Sequence, residues 1–247
     1  AEGACVSIEM PEATILARQM QAELVGKTVA GFELKGCENF RRIGFINKDD
    51  ASLERLVGET IERAVSRGNT MVLKLTGEQN LVLSPEYGGE IFYHAPEMAR
   101  PARPARYHLW LPFSDGSALT VHIKTMGGFY ATCEVGLAEH YLVRRDFDPE
   151  RPEPDDAALT VERFARLIGG VTRQLKTVLV GKDAVVVGLS NSAFQDILFR
   201  AGLHPTRRAA DLAPEETQRL YDAMRLVVSE RLARGGKSSF RDLYGRP

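Results

Sequence analysis

The sequence predicts an α+β chain in which one N-terminal helix and an antiparallel β-structure precede an all-helical region. Three observations carry this reading. Short apolar runs with a rough two-residue alternation fill the middle of the chain, split by Gly, Asn and Asp. An acidic stretch with three prolines interrupts the chain at 146–156. Beyond it, apolar residues recur at helical spacing between glycine and proline stops.

The first helix is read from Pro11 in its first turn, with Ile15, Leu16, Met20 and Leu24 on one stripe and an end near Gly26. The strands are Met71–Thr76, Leu81–Leu83, Tyr107–Phe113 and Ala118–Ile123. Between the last two, Ser114-Asp-Gly-Ser117 is a hairpin turn, because Asp-Gly tolerates the positive φ that tight turns require. The run Asp146-Phe-Asp-Pro-Glu-Arg-Pro-Glu-Pro-Asp-Asp156 disfavours helix and sheet, and its carboxylates repel one another, so it is read as an extended linker. Helices follow from Thr160 to Gly169-Gly170, from Val171 to Leu179, and from Ser192 to Ala201, the last stopped by Gly202 and Pro205. Ala213-Pro-Glu-Glu216 opens a long fourth one, with Leu220, Met224, Val227, Val228 and Leu232 on one face and a stop at Gly235-Gly236.

The 247 residues are 44% hydrophobic and 26% charged, the balance of a chain with a real core; a disordered, collagen-like or membrane-spanning chain would look different. Cys5, Cys37 and Cys133 stand far apart, which speaks against a zinc cluster or redox pair and for a reducing compartment. Ala1 to Ser7 shows no basic stretch or apolar run of the signal-peptide kind, so a cytoplasmic protein is expected. The five histidines are not at metal-ligand spacing, and no phosphate-binding or dinucleotide glycine motif and no nucleophile elbow occurs.

A formal net charge of −1 argues against a nucleic-acid partner until its distribution is seen. From Glu162 onward, 15 Lys and Arg face 9 Asp and Glu, a net +6, while the rest of the chain carries −7. The excess includes Arg200, Arg207, Arg208, Arg231, Arg234, Lys237, Arg241 and Arg246, grouped near turns and helix ends. That suits either a polyanion partner or a solvated helical surface.

Specific motifs lie in this basic part. Gly188-Leu-Ser-Asn191 sets a sharp turn before Gln195-Asp-Ile-Leu-Phe-Arg-Ala-Gly-Leu-His-Pro205, and a helix start with bare N–H groups and an Asn amide suits a phosphate. This stretch resembles the helix-two-turn-helix motif of the formamidopyrimidine-DNA glycosylase/endonuclease VIII family. Arg234-Gly-Gly-Lys-Ser-Ser-Phe-Arg-Asp242 resembles the Gly-Gly-Thr-Thr-Leu-Arg-Asp that follows the long helix there. Ser7-Ile-Glu-Met-Pro-Glu-Ala13 lines up with the family's opening, placing Glu9, Pro11 and Glu12 on its Glu, second Pro and second Glu.

The resemblance implies a helix and two-layer β-sandwich over 6–145, a linker over 146–156, and a helix-two-turn-helix domain over 157–247. Duplex DNA, damaged at one base, would lie in the cleft between the two domains of a monomer associated with the nucleoid. It also implies phosphate contacts from Asn191, Ser190, Lys176, Lys237, Arg241, Arg67 and Asn69, although one extra residue before Gly188 offsets Lys176.

This sequence departs from the family at the nucleophile. The family's proline amine, which forms a Schiff base at the sugar C1′, falls on Ile8, which has no free amine. Reading Pro11 as the nucleophile would require cleavage after Met10 and would misalign Glu12. Glu9 and Glu12 are therefore the candidate catalytic carboxylates, orienting a water or stabilising the oxocarbenium-like charge as the base leaves. A structural reading stands beside this one, with Glu12 favouring the positive end of the first helix. The outcomes are a glycosylase without strand-cleaving amine chemistry, or a damaged-DNA-binding protein that has lost catalysis.

The family's hairpin lysine has become Asn69 in Arg67-Gly-Asn69, and its gap-filling segments have become Leu83–Gly89 and Lys124–Phe129. Tyr87, Met126 and Phe129 are the wedge candidates. No cysteine follows Cys133, so the family's zinc ligands are missing, no cofactor is expected in this chain, and the hairpin that follows the helical domain is read as truncated or disordered.

Overall fold

The computed structural model describes residues 7–96 and 104–247. The first six residues, with Cys5 and the stretch read for a leader, lie outside the described residues. Helix α1 (Met10–Leu24) starts where the sequence places it, with Pro11 in its first turn and the Glu12 carboxylate accepting the backbone N–H of Glu9 at 3.0 Å. After it come β1 (Glu33–Leu34), α2 (Glu38–Ile43), α3 (Ala51–Glu54), β2 (Ile61–Arg67), β3 (Thr70–Leu75) and β4 (Gln79–Tyr87). The β-rich part closes with β5 (Glu90–His94), β6 (Leu109–Pro112), β7 (Ala118–His122) and β8 (Met126–Cys133). These strands form two antiparallel four-stranded sheets, ordered β1-β6-β7-β5 and β2-β3-β4-β8, the expected sandwich.

Two-residue alternation decides what each face covers. On β3 and β4, Met71, Leu73, Leu75, Leu81 and Leu83 enter the core shared by both sheets and by Leu16, Met20 and Leu24 of α1. Val72 and Val82 point the other way and pack with Leu137 and Leu142 of α4 (Glu134–Glu139) and α5 (Tyr141–Asp146). The Asp115-Gly116 turn forms as read: Gly116 has φ of 86°, and Asp115 accepts the N–H of Ser117 at 2.9 Å. Strand β8 escapes a propensity reading because it carries Gly127-Gly128. A Cβ at Gly128 would stand 1.8 Å from the carbonyl oxygen of Phe45, so only glycine lets that loop close on the sheet.

The acidic stretch is not the extended linker that its charges suggest. Asp146 ends α5 and is buried, accepting the N–H of Asn69 at 3.1 Å and the hydroxyl of Thr70 at 2.7 Å. Glu153 accepts the N–H of Gly68 at 2.8 Å, and the Pro152 carbonyl takes the N–H of Val187. Backbone donors on the β2–β3 turn thus take up two of the carboxylates, Asp146 and Glu153, and the helical region ties down the backbone between them.

The helical region contains α6 (Val161–Ile168), α7 (Leu175–Leu179), α8 (Asn191–Ala201) and α9 (Pro214–Ala233). Thr160 caps α6 through its side chain, Gly202 closes α8 in the left-handed region, and Phe164, Ile197, Leu220, Met224 and Val228 form the second core. The helix expected from Val171 is shorter: residues 171–174 instead bond across to 207–210, as in Ala209 N to Arg173 O and Ala210 N to Val171 O, both 3.0 Å. The bonds to that neighbouring strand-like segment outcompete a first helical turn that would hold Val171 and Thr172, both β-branched.

Each core also takes residues from the far end of the chain. Met10 belongs to the second core, whereas Phe240 and Leu243 belong to the first, where Leu243 accepts the N–H of Tyr93 at 2.8 Å. Gly188 sits at the crossing. Its carbonyl accepts the N–H of Met10 at 2.9 Å, its φ is +87°, and a Cβ there would lie 2.4 Å from that of Met10 and 3.0 Å from Cα of Gly68. Gly188→Ala combines left-handed strain with a clash. We expect it to lower unfolding free energy by about 2 kcal/mol or more, read as a reduced urea midpoint with unchanged slope.

Candidate nucleic-acid cleft

The N-terminal strand-like segment, the β2–β3 turn and the start of α8 meet along one seam. Glu9 lies at its centre and is fully enclosed. One oxygen accepts the Ser190 hydroxyl and, at 3.2 Å, the backbone N–H of Ala193 in the first turn of α8; the other accepts Arg231 of α9. A carboxylate at a helix N-terminus is in favourable company, and the guanidinium completes its solvation. Arg231 goes on to Asp196 at 2.7 Å and Ser192 at 3.0 Å. Glu12, equally enclosed, accepts the backbone N–H of Lys237 at 3.1 Å. Burial pushes its carboxyl above the ordinary range, and the Lys237 ammonium 3.8 Å away pulls it back.

These placements change several sequence-based roles. Glu9 and Glu12 are brought together, but as a clasp between the two halves with their oxygens already occupied. Arg231, counted among surface basics, is buried because Glu9 needs a counter-charge. Lys237 turns inward, its ammonium on the carbonyl and hydroxyl of Ser7 and 3.6 Å from Glu9, rather than outward to a phosphate. Ser190, at the start of α8, spends its hydroxyl on Glu9. Phe129 is part of the first core and is no wedge; Met126 is 48% exposed and pairs in register with Tyr87. Asn191, Lys176 and Arg241 lie at the surface, Arg241 donating to the carbonyl of Gly245 at 3.0 Å. Arg67 donates to the carbonyl of Arg151 at 3.0 Å.

Beside Ile8 the seam opens into a cavity of about 160 Å3, lined by Ile8, Asn69, Glu86, Arg145, Lys182 and Ser190 among others, with Tyr87 at its wall. Ile8 is itself buried, and its backbone N–H is spent on the Glu86 carbonyl at 2.8 Å. The Asn69 Oδ1 is buried without a hydrogen-bond partner among the described residues. Arg145 bonds Asp146 at 2.7 and 2.8 Å and pairs with Glu86 at 2.6 Å; burial would lower its pKa, but these carboxylates outweigh it and hold the guanidinium charged. Sequence reasoning missed Glu86, Arg145 and Lys182, because nothing local marks them; only the closure of the linker on the β2–β3 turn brings them together. Among the described residues no three His, Cys, Asp or Glu side chains converge to hold a metal, and no helix is long and apolar enough to cross a membrane.

The formamidopyrimidine-DNA glycosylase N-terminal domain model matches residues 8–122, and the helix-two-turn-helix domain model of the same glycosylase matches residues 151–242. A formamidopyrimidine-DNA glycosylase of an Exiguobacterium species is 30% identical over 232 residues, covering 93% of this chain and 80% of the relative. This chain belongs to the formamidopyrimidine-DNA glycosylase family. A Bacillus cereus member is 28% identical over 93% of this chain and 79% of its own length. Among solved structures, the MutM (Fpg) protein of Thermus thermophilus superposes with a TM-score of 0.78 at 24% identity, over 97% of this chain and 83% of the other. The Lactococcus lactis protein, solved in complex with DNA containing an abasic site, superposes with a TM-score of 0.80 at 19% identity, over 96% and 84%. The family fold is thus retained around a seam whose position 8 is isoleucine.

Two measurements test the seam. Arg231→Met leaves Glu9 buried without its guanidinium partner and is expected to cost about 3–5 kcal/mol in urea unfolding, most of it recovered when Glu9→Gln is added. Glu153 is pushed by burial from 4.5 to about 7. The folded protein therefore holds an extra proton between those values, and this group's contribution to stability falls as pH rises through that window. Glu153→Gln should remove that component from the pH dependence of the unfolding midpoint.

Proposed function

We propose that this chain binds duplex DNA along the seam and releases a damaged base by carboxylate-assisted hydrolysis, without Schiff-base chemistry at position 8. The observation that carries this reading is Ile8. By the family resemblance it stands where an amine would attack C1′, yet its nitrogen is a buried peptide N–H bonded to Glu86, beside a polar cavity. Solved relatives bound to abasic-site DNA and to DNA carrying carbocyclic 8-oxo-G support a DNA partner for the same fold. So does the excess of basic residues beyond Glu162. Hydrolysis asks only for a water and a positioned negative charge, which suits a site with carboxylates and no amine nucleophile at residue 8. The full occupation of Glu9 favours a second reading, a damaged-DNA-binding protein without catalysis.

Single-turnover base release, run with a borohydride trap on duplexes carrying oxidised purines, oxidised pyrimidines, alkylated bases or abasic sites, separates the readings. Release without a trapped covalent adduct is the expected result. A trapped adduct would sink the hydrolytic mechanism, and tight, salt-sensitive binding of damaged duplex with no release would favour the non-catalytic one.

A further inference from the structure

We propose that the carboxylate serving the reacting sugar is Glu86, at the end of β4, rather than Glu9. This rests on the reading of the seam as a duplex-DNA site. Glu9, Glu12, Asp146 and Glu86 all bear on the part of the seam around Ile8, and their surroundings differ. Glu9 and Glu12 are wholly enclosed, and Glu9 has hydrogen bonds on both oxygens. Asp146 is bound by Asn69, Thr70 and Arg145. Glu86 alone of the four is partly open, with a side chain 14% exposed on the cavity that Ile8 lines.

Its Oε1 takes Arg145 at 2.6 Å and a long contact from the Ser84 hydroxyl at 3.5 Å, while the side chain stays partly open on the cavity. Arg145 is itself fixed by the two hydrogen bonds it donates to Asp146, so the Glu86 carboxylate is oriented from one side while its side chain still faces the cavity. The main chain of the same residue holds Ile8 in place. Glu86 thus couples the site's geometry and its negative charge in one residue.

In the step this supports, the bond from C1′ to the base nitrogen breaks and its electron pair leaves on the base, which takes a proton from solvent. Glu86 faces the positive charge that grows on the sugar. A water oxygen then bonds to C1′ and gives its proton to Glu86, which returns it to solvent. The products are the free base and an abasic sugar carrying the water hydroxyl. Sequence reading passes over Glu86 because it falls in Leu83–Gly89, where the chain departs from its family.

The test compares two duplexes that differ at one nucleotide, a neutral tetrahydrofuran abasic analogue or a pyrrolidine analogue whose protonated ring mimics the cationic sugar. The full chain is expected to bind the pyrrolidine duplex about tenfold more tightly. Glu86→Gln, which retains the length of the side chain and a hydrogen-bond acceptor for Arg145, is expected to lose the preference and bind the two duplexes with equal affinity. On any lesion the chain processes, the same variant should slow base release by about a hundredfold. Glu86→Asp keeps the charge and should keep part of the preference, which guards against misfolding of the Gln variant; thermal melts monitor both. An undiminished preference in Glu86→Gln, or none in the unaltered chain, overturns the assignment while leaving DNA binding intact. Failure of the unaltered chain to bind either duplex overturns the seam as a DNA site, and the assignment with it.

Discussion

The buried pair of Glu9 and Arg231 is the interaction on which the arrangement of the two halves depends. A carboxylate with no exposed surface is unfavourable in isolation, by several kcal/mol even after relaxation. Here the donors it uses come from two separate helices, the hydroxyl of Ser190 and the N–H of Ala193 at the start of α8 and the guanidinium of Arg231 on α9. Misplacing any of them leaves charge uncompensated in a low-dielectric setting. The electrostatics therefore select one docking of α8 and α9 against the start of α1, which apolar packing, being non-directional, would not do alone.

That selection has a chemical consequence. Carboxylates that the family resemblance sets near the reacting sugar are here drawn into holding the fold, and Lys237 turns inward with them. The polar surface left open at the seam belongs to other residues, contributed by the end of β4, by α5 and by the loop after α7. An active-site role and a clasp role compete for the same lone pairs, and a carboxylate saturated with donors has none left for water.

Elements with local signals were legible in the sequence. Pro11 and the stripe from Ile15 to Leu24 mark α1, Asp115-Gly116 marks its hairpin, Thr160 caps α6, and Gly202 with Pro205 ends α8. Each signal acts within a few residues, so no knowledge of the fold is needed. What stayed hidden depends on partners far along the chain. Arg231 and Arg234 are three residues apart and alike in sequence, yet the first is buried on Glu9 and the second is exposed. Phe129 and Met126 share a strand and looked equivalent as wedges until register put one in the core. The acidic linker read as self-repelling because the backbone donors of Gly68 and Asn69 that meet it lie about 80 positions earlier.

The exchange of ends between the two cores makes the molecule topologically closed, like a belt buckled through itself. Met10 is lodged among the helices, and the segment carrying Phe240 and Leu243 is lodged on the sandwich, where Gln19 takes the N–H of Leu243 and donates to Asp242. A protease cut within 146–156 would break the covalent connection but not the association, since each fragment still holds a strand of contacts from the other. The two halves are accordingly a single cooperative unit, and neither is expected to keep its native core when expressed alone.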